Sequence, residues 1–240
     1  MKGMLSAFCL LIFLGCARDT YLRSSDGVRL AYEYQKVENA EGTAVLVHGL
    51  GSSSEEWYTL AKYLHTHGWD TVTFDLRGHG LSTEWQGGEI HYERLKAEGF
   101  LSMTQDLEAV LSLVEKKENL WLIGSSVGAG LAVYFAKQRP EIRGLVLLSL
   151  PPNFAGKLME EEIQLLGKKP VFVAASRDDG FFSETSEKIK NQIPGSSHLL
   201  LYDEAGHGAA MIDNQKSLKK EILSWIQQET PQQKKTQEVA

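Results

Sequence analysis

Short apolar runs recur along the chain and are separated by longer stretches of mixed character. Residues 28–34 alternate between apolar and polar side chains, as expected for a half-buried strand. The other runs are continuous and bounded by Gly, Pro, Asp or Ser; they cover residues 44–47, 71–74, 120–123, 145–148, 171–174 and 199–202. Continuous apolar runs of this length predict strands that are buried on both faces of a parallel sheet.

The stretches between these strands carry helical spacing. They cover residues 55–67, 103–116, 127–139, 184–191 and 215–228. In the second of them, the apolar side chains fall on one stripe and most of the charged side chains lie away from it. Strands that alternate with amphipathic helices predict an α/β fold, with a doubly wound, mostly parallel sheet and helices on both faces.

The first 16 residues have the features of an export signal. Lys2 precedes an apolar run at 8–14, and small residues surround Cys16. The run is too short to span a bilayer, which takes ~20 apolar residues. Gly15-Cys16 resembles the lipidation site of bacterial lipoproteins, which implies a cell-envelope protein tethered to a membrane through Cys16. Cleavage after Ala17 would give a soluble exported, periplasmic protein instead, and a buried N-terminal element of a cytoplasmic protein is the third alternative.

The rest of the chain is predicted to form one domain, residues 17–228, followed by a polar tail, residues 229–240. The chain has 25 Lys and Arg against 31 Asp and Glu, a net charge of −6, so it offers no basic surface for nucleic acid. Its two cysteines, Cys9 and Cys16, both lie in the predicted signal. The sequence contains no H-E-x-x-H metal motif and no G-x-x-x-x-G-K-[ST] phosphate loop. We therefore predict neither a metal nor a cofactor.

A G-x-S-x-G motif lies between the apolar run 120–123 and the helical stretch 127–139. A nucleophilic serine on such a tight strand-to-helix turn needs small residues two places before and after it. Gly124 and Gly128 satisfy this requirement for Ser126, whereas Ile123 and Val127 would violate it for Ser125. The motif therefore predicts Ser126 as the nucleophile.

A serine nucleophile needs a histidine base and an acid that orients the histidine. His207 lies between the last apolar strand and the last helix, on the sheet edge where Ser126 is expected. Asp178 and Asp179 follow the run 171–174 at the same edge, and either could serve as the acid. The order Ser, Asp, His is the one expected of an α/β-hydrolase.

Two further motifs precede these residues in the chain. The turn 48–51 reads H-G-L-G, and the segment 75–82 reads D-L-R-G-H-G-L-S. With the three candidate catalytic residues, these motifs resemble the α/β-hydrolase superfamily, and within it the esterases and monoacylglycerol-lipase-like members. The resemblance implies Asp179 as the acid and the backbone N–H groups of Leu50 and Val127 as an oxyanion hole; it treats His79 as structural.

The resulting hypothesis is a serine hydrolase that cleaves carboxylic esters of short to medium acyl chains, with a small-molecule ester as its partner. A serine peptidase, amidase or acyltransferase with the same triad, and a non-catalytic envelope-tethered binding protein with this fold, are the alternatives. Residues 150–169 are too few to form a large cap domain. The candidates for an acyl pocket are large side chains near the motif loops, each with ordinary core packing as its alternative: Trp57, Phe154, Phe181, Phe182 and Met211.

Overall fold

The computed structural model describes residues 20–115 and 118–231. In that part of the chain the main sheet has ten strands. Their bounds are β1 Tyr21–Arg23, β2 Val28–Gln35, β3 Thr43–Val47, β4 Asp70–Phe74, β5 Glu84–Trp85, β6 Gly88–Glu89, β7 Leu120–Ser125, β8 Ile142–Leu148, β11 Val171–Ser176 and β12 Ser197–Tyr202, while β9 Asn153–Phe154 and β10 Lys157–Leu158 form a separate hairpin. The strand order is β12-β11-β8-β7-β3-β4-β2-β5-β6, with β1 paired to β2. The strands from β12 to β4 in this order are parallel, and β1, β2, β5 and β6 are antiparallel.

Helices cover both faces of this sheet, which confirms the predicted α/β class. The helices α2, α3, α4 and α5 pack in one core cluster, and α1, α6 and α7 pack in a second cluster on the opposite face. Both clusters consist of apolar side chains that the strands project alternately to the two faces. The bounds are α1 Tyr58–His65, α2 Ala97–Leu111, α3 Val127–Ala136, α4 Met159–Glu162, α5 Phe181–Lys190, α6 Ala210–Asn214 and α7 Leu218–Glu229.

The helix α2 differs most from its prediction. It begins at Ala97, six residues before the predicted start at 103, where Gly99 and the adjacent polar residues leave the apolar spacing weak. It ends at Leu111 because the backbone then tightens: the Ser112 N–H bonds the carbonyls of both Glu108 and Ala109. Val114 lies beyond the helix but is still buried in the core.

Residues 150–169 pack onto the body of the domain instead of forming a cap. They form the short hairpin of β9 Asn153–Phe154 and β10 Lys157–Leu158, then α4 and a 3₁₀ turn. Five of their apolar side chains enter the core cluster that contains α3: Leu150, Phe154, Met159, Ile163 and Leu166. Phe154 lies where a Cβ on Gly130 would come within 2.8 Å. The absence of a large cap among the described residues agrees with the prediction.

The predicted terminal segments lie largely beyond the described residues. The predicted signal, with Cys16, and residues 232–240 of the predicted tail lie outside the described residues. The last described helix, α7, ends at Glu229, the first residue of that tail. Among the described residues, no helix is long and apolar enough to cross a membrane.

Candidate active site

Ser126 lies on the turn between β7 and α3, in a backbone conformation that L-residues rarely adopt. Its φ is 51° and its ψ is −118°. The two flanking glycines are required sterically, since a Cβ on Gly124 would lie 2.5 Å from the Gly128 carbonyl oxygen, and one on Gly128 would lie 2.2 Å from the Val47 carbonyl oxygen. Such strain is typical of functional positions that the surrounding structure holds in place.

His207 and Asp179 are paired directly. The Nδ1 atom of His207 lies 2.8 and 2.9 Å from the two carboxylate oxygens of Asp179. This bond places the ring proton on Nδ1 and leaves Nε2 unprotonated when the imidazole is neutral. The imidazole is partly exposed, whereas the Asp179 side chain is largely buried.

A serine that the sequence analysis did not single out completes this pair. The Ser149 hydroxyl follows β8, donates to Asp179 Oδ2 at 2.6 Å and accepts the Gly208 N–H at 2.8 Å. Ser149 is fully buried and has a positive φ of 52°. Its hydroxyl therefore joins the carboxylate of Asp179 to the loop that carries His207.

The neighbouring aspartate has a different environment. The Asp178 carboxylate accepts a hydrogen bond from the Ser176 hydroxyl, which lowers its pKa, and it also receives the Gly206 N–H at 3.4 Å. It has no recorded bond to His207. The geometry thus separates two aspartates that the residue pattern alone left equivalent.

Ser126 and His207 line one cleft of about 370 Å³ at the carboxyl edge of the parallel strands. The cleft is bordered by small and polar groups together with one larger apolar side chain, Leu50. The full lining is Gly49, Leu50, Ser52, Glu56, Ser125, Ser126, His207, Ala209, Ala210 and Asp213. The structure therefore brings together the predicted nucleophile and the predicted base.

The two predicted oxyanion donors belong to elements that meet at this cleft. Leu50 lines it, and the preceding Gly49 lies so close to the elbow that a Cβ there would be 3.4 Å from the Ser126 Cβ. Val127 is the first residue of α3. The first N–H groups of an α-helix have no intrahelical acceptor and carry a partial positive charge.

The segment 75–82 supports the loops around the cleft. The Asp75 carboxylate accepts the Ser54 N–H at 2.7 Å and the Leu81 N–H at 2.8 Å, and so ties together the loops that follow β3 and β4. The guanidinium of Arg77 is buried between the carboxylates of Asp106 and Asp26, at 2.7 and 2.6 Å. These contacts stabilise the loops around the cleft, and none of residues 75–82 is among its lining residues.

His48 of the turn 48–51 and His79 of the segment 75–82 are buried, and their contacts are with neighbouring loops. Burial lowers the pKa of His48 to about 4, so its ring is neutral. Its Nε2 accepts the Leu76 N–H at 2.9 Å, and its Nδ1 therefore donates to the Gly49 carbonyl at 2.7 Å. His79 is also buried, and its ring stacks on Tyr92 with the centroids 4.4 Å apart.

None of the aromatic and methionine side chains predicted to line an acyl pocket borders the cleft. Trp57, Phe154 and Met211 are instead buried in the two core clusters. They therefore have the alternative role given above, which is packing in the core. Phe181 is 56% exposed and is not among the lining residues. Its neighbour Phe182 does approach the site, with its ring edge-on to His207 at a centroid distance of 4.4 Å.

Among the site residues that the sequence analysis did not single out are Ser149 and Glu56. Ser149 follows an apolar strand at the same edge as Asp179, which is a weak signal because serine is common in such turns. Glu56 lies in the 3₁₀ turn Ser54–Trp57 and borders the cleft, although its position in an amphipathic stretch suggests a solvated carboxylate. Among the described residues, no group of three or more His, Cys, Asp or Glu side chains is placed to hold a metal ion.

Comparisons with known proteins define the class of this protein. Residues 38–169 match the family model described as "Serine aminopeptidase, S33". This match covers more than half of the chain, so the chain belongs to this family of α/β-hydrolases, and its similarity to esterases and monoglyceride lipases agrees with the predicted resemblance.

The similar sequences are distant and longer than the matched region. The chain is 27% identical over 129 residues to monoglyceride lipase of Saccharomyces cerevisiae, which covers 50% of this chain and 40% of that protein. It is 25% identical over 177 residues to the bifunctional esterase/perhydrolase DCH of Acinetobacter calcoaceticus, covering 72% and 54%. Protein ABHD8 of Mus musculus is 27% identical over 113 residues, covering 47% of this chain and only 24% of that protein.

Solved structures share the fold over most of the chain. A soluble variant of the Saccharomyces cerevisiae monoglyceride lipase, in complex with a substrate analogue, has a TM-score of 0.71 at 17% identity, covering 89% of this chain and 96% of that one. Est1E from Butyrivibrio proteoclasticus, with bound ferulic acid, has a TM-score of 0.70 at 18% identity, covering 87% and 99%. The shared fold extends well beyond the residues that match the family model.

Proposed function

We propose that this α/β-hydrolase cleaves carboxylic esters of short to medium acyl chains through an acyl-enzyme on Ser126. The observation that carries the proposal is the pairing of His207 with Asp179 on the same cleft as the strained Ser126 turn. A hydroxyl on such a turn, a histidine oriented by a buried carboxylate and an adjacent helix N-terminus are the parts that acyl transfer needs.

Each residue then has a defined step. Ser126 Oγ attacks the acyl carbon while His207 Nε2 takes its proton, and Asp179 stabilises the imidazolium that forms. The Leu50 and Val127 N–H groups bind the oxygen of the tetrahedral intermediate. His207 returns the proton to the departing alkoxide, which leaves as the alcohol. Water, deprotonated by His207, then attacks the acyl carbon. His207 gives that proton to Ser126 Oγ as its ester bond breaks, and the carboxylic acid is released.

The size of the cleft supports the restriction to shorter acyl chains. A volume of about 370 Å³ lies near the lower end of the range for small-molecule sites, about 300–1,000 Å³. Its apolar lining consists mainly of Leu50, Ala209 and Ala210. Each buried CH₂ group contributes ~0.8 kcal/mol, and this gain stops where the acyl chain leaves the lining for solvent.

The decisive experiment is labelling of the purified protein with a fluorophosphonate probe, followed by hydrolysis of p-nitrophenyl butyrate. We expect wild type to be labelled on Ser126 and to turn over the ester, Ser126→Ala and His207→Ala to be inactive, and Ser125→Ala to be labelled. A folded wild-type protein that is not labelled would favour the non-catalytic alternative. Faster turnover of an alanine p-nitroanilide than of the ester would favour a peptidase, the activity that the family description names.

A further inference from the structure

Glu56 places a carboxylate inside the cleft, next to a site where the proposed reaction develops negative charge. It reaches the cleft from the 3₁₀ turn Ser54–Trp57, and its Oε1 accepts the Gly49 N–H at 3.0 Å. A carboxylate near an oxyanion destabilises it by Coulomb repulsion. A glutamate at this position is therefore unfavourable for the proposed reaction unless its carboxylate also contributes to catalysis.

The contacts of Glu56 lie within the active-site loops. Burial raises the pKa of Glu56, while hydrogen bonds from Ser52, the Gly49 N–H and Ser125, together with the charge of His207, act in the opposite direction. The Ser125 hydroxyl in turn accepts the Ala209 N–H at 3.1 Å. The carboxylate thus connects the turn after β3 with the nucleophile strand.

The bond from Glu56 acts on the peptide just before the one that carries the proposed oxyanion donor: the Gly49 N–H belongs to the His48–Gly49 peptide and the Leu50 N–H to the Gly49–Leu50 peptide. The Gly49 carbonyl and the Leu50 N–H belong to one planar trans peptide and point in opposite directions. His48 Nδ1 holds that carbonyl at 2.7 Å, while Glu56 holds the Gly49 N–H. The two peptides meet at the Gly49 Cα, so the bonds from His48 and Glu56 together restrain φ and ψ of Gly49, and through them the direction of the Leu50 N–H.

We propose that Glu56 is a positioning residue that orients the Leu50 N–H towards the oxyanion by accepting the Gly49 N–H. This inference rests on the proposed function, since it assigns the Leu50 N–H a role in the transition state. The role needs an acceptor at this place more than it needs a negative charge. Glutamine can supply that acceptor, whereas alanine and leucine cannot.

The test measures kcat and KM of Glu56→Gln, Glu56→Ala and Glu56→Leu on p-nitrophenyl butyrate. Loss of a whole oxyanion donor costs ~10²–10³-fold in kcat. We expect Glu56→Ala and Glu56→Leu to lose roughly 10–100-fold in kcat, a fraction of that effect, with little change in KM. We expect Glu56→Gln to keep most of the wild-type kcat. Glu56→Leu fills the volume of the glutamate, so it serves if Glu56→Ala does not fold.

Two further measurements separate positioning from a general structural role. The affinity of butylboronic acid, whose serine adduct is tetrahedral, should fall in Glu56→Ala by the same factor as kcat/KM. The matched control is Glu55→Ala, which removes the adjacent exposed carboxylate and should leave kcat unchanged. Circular dichroism and Tm establish that each variant is folded.

Three results would overturn the inference while wild type remains active. These are a kcat of Glu56→Leu equal to that of Glu55→Ala, a Glu56→Gln as impaired as Glu56→Leu, or a loss confined to KM. If wild type and Glu55→Ala neither hydrolyse the ester nor react with the fluorophosphonate probe, the proposed function itself is wrong, and the inference falls with it.

Discussion

Ser149 offers a test of how the candidate acid is held, because its hydroxyl has two partners in the site. It donates to Asp179 Oδ2 at 2.6 Å and accepts the Gly208 N–H at 2.8 Å, and it has no exposed surface. The substitution Ser149→Ala removes both bonds and adds no bulk. Asp179 keeps its contacts with His207, so the pair remains but one of its supports is lost.

The magnitude follows from the kind of hydrogen bond that is removed. A bond to a charged group contributes about 1.5–3 kcal/mol. Asp179 stabilises the imidazolium in the transition state only when it is correctly placed. If the whole contribution of the bond is lost there, kcat/KM falls by roughly ten- to 150-fold, at ~1.4 kcal/mol per factor of ten. This loss is smaller than the ~10⁴-fold expected when the acid itself is replaced by its amide.

Ser176→Ala is the matched control for this measurement. Ser176 is also fully buried at the end of a strand, and its hydroxyl contacts the other aspartate, Asp178, and accepts the Ala205 N–H at 2.7 Å. Both variants should lower Tm, but only Ser149→Ala should lower kcat/KM on p-nitrophenyl butyrate by ten-fold or more. Ser176→Ala also removes one hydrogen bond to the loop that carries His207, so we expect a smaller kinetic loss from it. An equal or larger loss than in Ser149→Ala, at a similar Tm, would contradict a specific role for the bond between Ser149 and Asp179.

Four other predictions are open to direct measurement. Asp179→Asn should lower kcat by ~10⁴-fold, whereas Asp178→Asn should stay within a few-fold of wild type; equal effects would contradict the assignment. Asp106→Asn leaves a buried guanidinium without its main partner, so chemical denaturation should show a loss of about 3–5 kcal/mol, against a smaller loss for the partly exposed Asp26→Asn. Among p-nitrophenyl esters, kcat/KM should peak between acetate and octanoate, and a maximum at palmitate or interfacial activation would contradict the small cleft. Mass spectrometry of the protein from its native host should find an acylated N-terminus at Cys16, and an intact Met1 in the cytosol would exclude export.

Periodicity predicted most of the fold because it reports burial directly. Every apolar run from residue 28 onwards became a strand, since a run buried on both faces has few alternatives in an α/β domain. The start of α2 was missed because its first turn packs few apolar side chains and contains Gly99, so its helicity depends on its neighbours. The spacing of apolar residues within a helix does not report stabilisation by neighbouring elements.

A site residue could be predicted from the sequence where the geometry of a single turn requires a particular residue type. Ser126 is identified by the need for glycine on either side, which the sequence displays. Trp57 and Met211 could not be assigned, because a large apolar side chain near a motif loop suits a pocket and a core equally well. The packing of the 3₁₀ turn Ser54–Trp57 and of α6 against the sheet places them in the core. The position of Glu56 in the site likewise follows from its hydrogen bond with the Gly49 N–H, a contact that the sequence does not show.

The loop that carries His207 is held by a set of buried serines at the ends of neighbouring strands. Ser125 ends β7, Ser149 follows β8 and Ser176 ends β11, and each is almost completely buried. Each hydroxyl accepts a backbone N–H from the loop after β12: Ala209 at 3.1 Å, Gly208 at 2.8 Å and Ala205 at 2.7 Å respectively.

These bonds explain how a partly exposed histidine can be held without a covering cap. A buried N–H left without an acceptor costs about 1–3 kcal/mol, so each serine stabilises one conformation of the loop against its alternatives. The serines stand on adjacent parallel strands, whose spacing is set by the sheet at about 4.8 Å. The sheet therefore fixes the backbone on both sides of His207, and the side chain can remain open to substrate while its position relative to Ser126 is maintained.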